Sequence, residues 1–294
     1  MRRDQADCGT PLMRDTIDWA ANTVLKSATY FDTVKIYVDR PIDPVEKIWL
    51  EERCGSIGET GPLRYQPNRW PDGIVLRQPT DTALAYFEDG FNNYVLSRVD
   101  VSLDLMTRSY GDAEDLHAFI ERRLVQPWHR GIEPVVKYEG TVYYKRAGGR
   151  NNLVQYSDEP SKVTGQPCVH VEWRMELADA IRRSGLTGTS DLIQLDKKAF
   201  FAKRLKLLDL PTYDELRKIG RVLHGVGRSR PRLLMPLRRG VKIDRYPMSA
   251  TVWLRASQQL GRVHGWAVQD VLDAYGPKWA RYFRRLPTDW MFPE

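Results

Sequence analysis

The chain has 294 residues, a mass of 34.1 kDa and a net charge of +7, enough for one large domain or a domain with a smaller partner. With 42% hydrophobic residues, 9 Trp, 14 Tyr and 8 Phe it is a globular chain and not a disordered one, and its apolar runs fall short of the ~18–20 residues of a membrane span. Met1, Arg2 and Arg3 have no apolar segment behind them, and Cys8, Cys54 and Cys168 are odd in number and widely spaced. These features argue against secretion and against a disulfide framework, and predict a cytoplasmic setting.

Charge is unevenly placed. Residues 197–294 carry 21 Lys/Arg against 8 Asp/Glu, a net of +13, while 1–196 carry 24 against 30, a net of −6. An acidic body with a basic C-terminal third predicts a polyanion partner, although a solvated basic surface has the same composition.

In chain order, helical spacing of Leu12, Ile17, Ala20, Val24 and Leu25 predicts a helix over 12–28, and 33–38 alternates as a strand stopped by Pro41 and Pro44. Residues 53–73 read as loop with short strands. Tyr94 to Leu105 alternates Val95, Val99, Val101, Leu103 and Leu105 with polar residues, and 112–124 reads as an amphipathic helix. Strands over 133–139, 141–146 and 151–156, separated by Gly140 and by Gly148 and Gly149, predict a meander. A further strand over 168–175 leads to a helix at 176–184. Beyond about 195 the period becomes helical, with Leu205, Leu208 and Leu210 ending one helix near Pro211, and further helices from Thr212, over 249–260 and over 266–285. The predicted class is α+β: a central, mainly antiparallel sheet with helices packed on it (1–196), followed by a basic, mostly helical region (197–294).

Three constellations carry chemistry. Asp100, Ser102 and Asp104 project from one strand face. Two carboxylates there need solvent, a basic partner such as Arg98, or a cation, and magnesium or manganese takes carboxylate oxygens. His170 and Glu172 share a strand face and can bind one divalent ion, or can join Arg174 and Glu176 in salt bridges. Tyr138, Tyr143, Tyr144 and Tyr156 cluster in the meander. Cross-strand packing explains most such tyrosines, but one near a cation can act as a nucleophile, because phenol, with a pKa of ~10, attacks poorly until its charge is stabilised. No phosphate loop, dinucleotide fingerprint or nucleophile elbow is present.

The order of these elements resembles a known family. The run from Tyr94 to Asp104, with Arg98, Asp100 and Asp104, is similar to the "R-hydrophobic-D-hydrophobic-x-x-D" strand of rolling-circle replication initiators of the staphylococcal plasmid type. Filamentous-phage initiation factors are similar to that group. Gly140 to Tyr144 resembles its "G-T-hydrophobic-Y" strand, and a basic turn from Lys145 to Arg150 follows. Leu153 to Tyr156 resembles the segment ending in its nucleophilic tyrosine. Val169 to Arg174 resembles its "hydrophobic-R-hydrophobic-E" strand, and Gln78, Pro79 and Thr80 match ahead of the Asp strand. The resemblance covers roughly 30–185. Tyr156 is followed by Ser157 and Asp158 where the family has an acidic residue and Lys, and His170 stands where the family often has Arg.

The resemblance implies a degenerate HUH-type nickase core. It implies a metal-dependent DNA nicking-closing endonuclease that joins a tyrosine to the 5′ phosphate of single-stranded or hairpin origin DNA and starts rolling-circle replication of a plasmid or phage. Under it, Tyr156 is the nucleophile, with Tyr144 and Tyr143 as runners-up, and Asp100, Asp104, Glu172 and His170 hold Mg2+ or Mn2+. DNA contacts fall to Lys145, Arg146 and Arg150, and in the basic tail to Arg228, Arg230, Arg232, Arg238 and Arg239. Family members often form homodimers and work with a host helicase. The alternative is a non-catalytic DNA-binding replication or copy-control protein.

Overall fold

The computed structural model of the chain describes residues 16–125, 136–138, 140–145, 151–209, 268, 272, 280–281 and 283–293. In order these form α1 (Ile17–Thr23), β1 (Lys26–Val38), α2 (Pro44–Glu51), β2 (Ser56–Glu59), β3 (Asp72–Arg77), α3 (Asp81–Gly90), β4 (Tyr94–Met106) and α4 (Tyr110–Arg123). They continue with β5 (Val136–Tyr138), β6 (Thr141–Lys145), β7 (Asn151–Tyr156), β8 (Cys168–Glu176), α5 (Ala178–Arg183), α6 (Thr189–Ile193) and α7 (Lys197–Arg204). The strands make one sheet in the order β2-β3-β1-β4-β8-β7-β6-β5, with every pairing antiparallel. The α+β class and the β5-to-β8 meander agree with the strand patterning.

β1 and β4 form the spine, paired from Lys26↔Met106 to Val38↔Tyr94. In β4, Val99, Val101, Leu103 and Leu105 are fully buried on one face, each such side chain contributing up to ~1.5–3 kcal/mol. α5 packs on β4 and β8, and on the apolar face Trp173 of β8, opposite Val101, meets Phe200 of α7 edge-on at 6.1 Å. The polar face of β4 is buried too, with Asp100 and Asp104 at 0% exposure. It is not the solvated face that alternation alone allows.

Two expectations are corrected. The helix over 12–28 ends at Thr23, and Lys26 to Ala28 belong instead to β1, paired with Met106 to Asp104; ladder bonding across the sheet overrides the helical spacing of Val24 and Leu25. The helix expected to run to Leu210 stops at Arg204, and Leu207 and Leu208 bridge to Leu124 and Arg285. Neither α2 nor α3 stands out by apolar period. α2 does carry a capping box, in which the Asp43 carboxylate accepts from the Val45 N–H and Glu46 accepts from the Asp43 N–H, with Pro44 opening the helix.

The chain divides into two compact units, one of 1–21, 115–129 and 204–290 and another of 22–114, 130–203 and 291–294. In the first, Phe119 lies between Trp19 and Trp290, at 6.0 and 5.9 Å. The second contains the sheet. No helix among the described residues is long and apolar enough to cross a membrane. The helices expected from Thr212 and over 249–260, and Arg146, Arg150, Arg228, Arg230, Arg232, Arg238 and Arg239, lie outside the described residues, as does the side chain of Lys145.

Candidate active site

Directly opposed residues of antiparallel strands share a face. The register sets Asp100 opposite Arg174, Ser102 opposite Glu172 and Asp104 opposite His170, and His170 opposite Tyr156. Four strands thus deliver Tyr30, Asp100, Asp104, His170, Glu172 and Tyr156 to one surface. Tyr143, opposite Val154, shares it; Tyr144, opposite Leu153, lies on the other face, buried, 3.5 Å from the Gln155 amide oxygen.

β1 adds a residue that no sequence motif marks. Its register shifts between Phe31 and Thr33, and such an irregularity re-aims a side chain. The residue in the gap is Asp32, whose backbone carbonyl accepts from the Gln78 N–H at 3.0 Å. Oxygens of Asp32, Asp100 and Glu172 come within 4.8 Å of one another. Each carboxylate has one basic partner. Arg98 Nε donates to Asp100 Oδ2 at 2.7 Å, Arg174 to Glu172 Oε2 at 2.7 Å, and Lys162 Nζ to Asp32 Oδ1 at 2.7 Å. Asp100 Oδ1 and Glu172 Oε1 are buried and have no hydrogen-bond partner among the described residues.

Two orphaned carboxylate oxygens are costly in a buried site unless a cation meets them. The all-oxygen donor set suits a hard divalent ion, and its spacing is one that metal–oxygen bonds of ~2.0–2.6 Å can bridge. The residues therefore fit magnesium or manganese. Burial pushes the Asp100 carboxyl up to about 7, with Arg98 opposing the rise and Glu172 adding to it.

Asp104 and His170 belong to a neighbouring network. His170 Nδ1 is 2.7 Å from Asp104 Oδ1, and its Nε2 is 3.2 Å from the Pro160 carbonyl and 3.3 Å from Cys168 Sγ. Tyr30 donates to Asp104 Oδ1 at 3.2 Å and Ser161 to Oδ2 at 2.7 Å. Asp104, Cys168 and His170 are close enough to hold an ion, but here both Asp104 oxygens are already satisfied by protein. Burial, with Asp104 adding to it, raises the Cys168 thiol, so that it stays protonated. The four ligands expected from sequence thus fall into two groups, Asp100 and Glu172 joined by Asp32, and Asp104 and His170 joined by Cys168.

Tyr156 ends β7, half-buried, and its ring stacks on His170 at 4.4 Å. Burial first, then the charges of Glu172, Asp32, Glu159 and Asp104, hold its phenol well above the ordinary range. Only neutralisation of that acidic surface makes a phenolate accessible there. Asp32, Tyr30 and Cys168 are the site residues that sequence reasoning missed; of these only Cys168 sits beside a recognised motif, two residues before His170.

No family model matches the sequence, and no curated protein matches it. Among solved structures, a rolling circle replication initiator protein from Geobacillus stearothermophilus aligns with a TM-score of 0.38 and 11% identity, over 65% of this chain and 91% of that one. So distant a likeness assigns no residue a role.

Proposed function

We propose that this chain is a replication initiator that nicks and rejoins single-stranded or hairpin origin DNA through a 5′-phosphotyrosine link. The observation that carries this reading is the convergence of Asp32, Asp100 and Glu172, with two unpartnered oxygens, on the sheet face that presents Tyr156. Asp32, Asp100 and Glu172 hold the divalent ion. When bound, that ion supplies the Lewis acidity that offsets the charge of a phosphodiester, which otherwise repels an anionic nucleophile.

Tyr156 is the nucleophile. Its Oη forms a bond to phosphorus as the bond to the 3′ oxygen breaks, the phenolic proton is lost, and the departing oxygen is protonated to a free 3′ hydroxyl. That hydroxyl primes synthesis. Attack by a later 3′ hydroxyl on the phosphotyrosine reverses the exchange, and no nucleotide is consumed because the phosphoester energy is kept. His170, held at Nδ1 by Asp104, forms the platform on which the phenol rests. Asp104 and His170 are thus positioning residues in this reading.

The test is incubation of the full chain with end-labelled single-stranded origin hairpins and Mn2+. A covalent adduct is expected from the parent, and none from Tyr156→Phe or Asp100→Asn. Salt-sensitive binding with no adduct from any variant would replace this reading with that of a non-catalytic DNA-binding protein.

A further inference from the structure

The three carboxylates of the centre are neutralised in two different ways. Arg98 and Arg174 lie two residues from their partners along β4 and β8, so the strand itself fixes each pair on one face. Both Nε and one terminal nitrogen of Arg98 reach Asp100 Oδ2, at 2.7 and 2.6 Å.

Lys162 is different. It belongs to the connection between β7 and β8, at 157–167, outside the strands that carry the three carboxylates, and touches Asp32 through a single 2.7 Å contact. The connection is pinned one residue earlier. Ser161 Oγ donates to Asp104 and its N–H to the Gln166 carbonyl, the Gly165 N–H donates to the Ser161 carbonyl, and Pro160 bridges Pro167. A fixed anchor followed by a long, unbranched side chain places an ammonium group at the centre while leaving that group able to withdraw.

We propose that Lys162 is a tethered stand-in cation, which holds Asp32 in the metal-free protein and competes with the divalent ion for that carboxylate. This rests on the reading of Asp32, Asp100 and Glu172 as the metal centre. An ammonium and a divalent ion at one carboxylate repel each other, so ion binding and the Lys162–Asp32 contact oppose one another. Lys162 thereby keeps a buried acidic cluster tolerable before the ion arrives, and it weakens the ion's hold. The two arginines hold Asp100 Oδ2 and Glu172 Oε2, which leaves Asp100 Oδ1 and Glu172 Oε1, without a hydrogen-bond partner among the described residues, for the ion.

The experiment is direct Mn2+ titration of the full chain by calorimetry and by the loss of the free-ion paramagnetic resonance signal. The proteins are the parent, Lys162→Met, Lys162→Gln, Lys162→Arg and Asp100→Asn, each checked by thermal melting. A part-buried ion pair plus like-charge repulsion translates into roughly 3- to 10-fold tighter Mn2+ binding by Lys162→Met and Lys162→Gln, with Lys162→Arg close to the parent. Unchanged or weaker binding by both neutral variants, with Asp100→Asn still losing the ion, overturns the role of Lys162 and leaves the metal centre standing. A parent that binds no Mn2+ removes the metal centre, and the proposal with it.

Discussion

Tyr156 rests its ring on the imidazole of His170, the centroids 4.4 Å apart and the planes 24° from parallel. His170 in turn is held at Nδ1 by Asp104, and its Nε2 lies beside the Cys168 thiol and the Pro160 carbonyl. A reacting group misplaced by about 1 Å can cost on the order of 10²-fold in rate. His170→Ala is therefore expected to slow adduct formation by roughly 10- to 100-fold in single-turnover assays. Its Mn2+ affinity should stay within about twofold of the parent, because His170 faces the neighbouring network. Loss of Mn2+ binding in this variant would make His170 a ligand, as the sequence pattern alone suggests.

Asp104 is fully buried and takes hydrogen bonds from Tyr30, Ser161 and His170. Removing a buried charge that so many groups address leaves the partners unpaired, at a cost of about 3–5 kcal/mol. Asp104→Ala should lose stability on that scale in urea unfolding. Asp104→Asn keeps the shape and part of the bonding and should lose about 1–3 kcal/mol.

Ion binding should depend on pH through Asp100. Burial raises its carboxyl to about 7 from an ordinary 3.8, so at pH 6 the folded protein holds a proton there that the ion must displace. Mn2+ affinity is expected to rise up to about tenfold per pH unit below 7 and to level off above it. The same shift acts on folding with opposite sign. Between about pH 4 and 7 the metal-free native state binds more protons at Asp100 than the unfolded chain does, so this group's contribution to stability falls as pH rises. Mn2+ titrations of the parent at pH 5.5, 7 and 8.5 would show the first profile, and urea melts at the same pH values should show the second flattened in Asp100→Asn, which loses the ion.

How much of this was legible beforehand follows from where period-2 order holds. β4 and β8 alternate cleanly, and the register of β4, β7 and β8 brings Asp100, Glu172, His170 and Tyr156 to one face. Asp32 was hidden for the opposite reason, because it sits where β1 breaks register, between the buried Phe31 and Thr33, and reads as an interruption of a strand. The division of the acids into two groups also escaped the sequence. Asp100 and Asp104 are equivalent by spacing, and only the 157–167 connection, which brings Ser161 to one and Pro160 to its His170 partner, makes them different. The fold class was readable from patterning, whereas the start of β1 was not, since Val24 and Leu25 just before it continue a helical spacing and only the pairing of Lys26 and Ser27 with Met106 and Leu105 marks the strand.

The choice among tyrosines follows from strand parity. Tyr143 and Tyr144 are adjacent in β6 and so point to opposite faces, Tyr143 opposite Val154 and Tyr144 opposite Leu153. Tyr144 is buried on the face away from the acids, its hydroxyl near Gln155, and reaches a phosphate at the metal centre only if β6 slips by one residue. A slip would turn Val142 and Tyr144 out of the core together, and a buried face resists that. Tyr144→Phe is therefore expected to form adduct at the parent's rate while losing at most about 1.5 kcal/mol of stability from its hydroxyl contact. Tyr143→Phe, on the site face beside Arg174, should keep the adduct as well, whereas Tyr156→Phe should form none and melt as the parent does. Mapping the labelled peptide after protease digestion decides among the three, and a label on Tyr143 or Tyr144 would overturn the assignment.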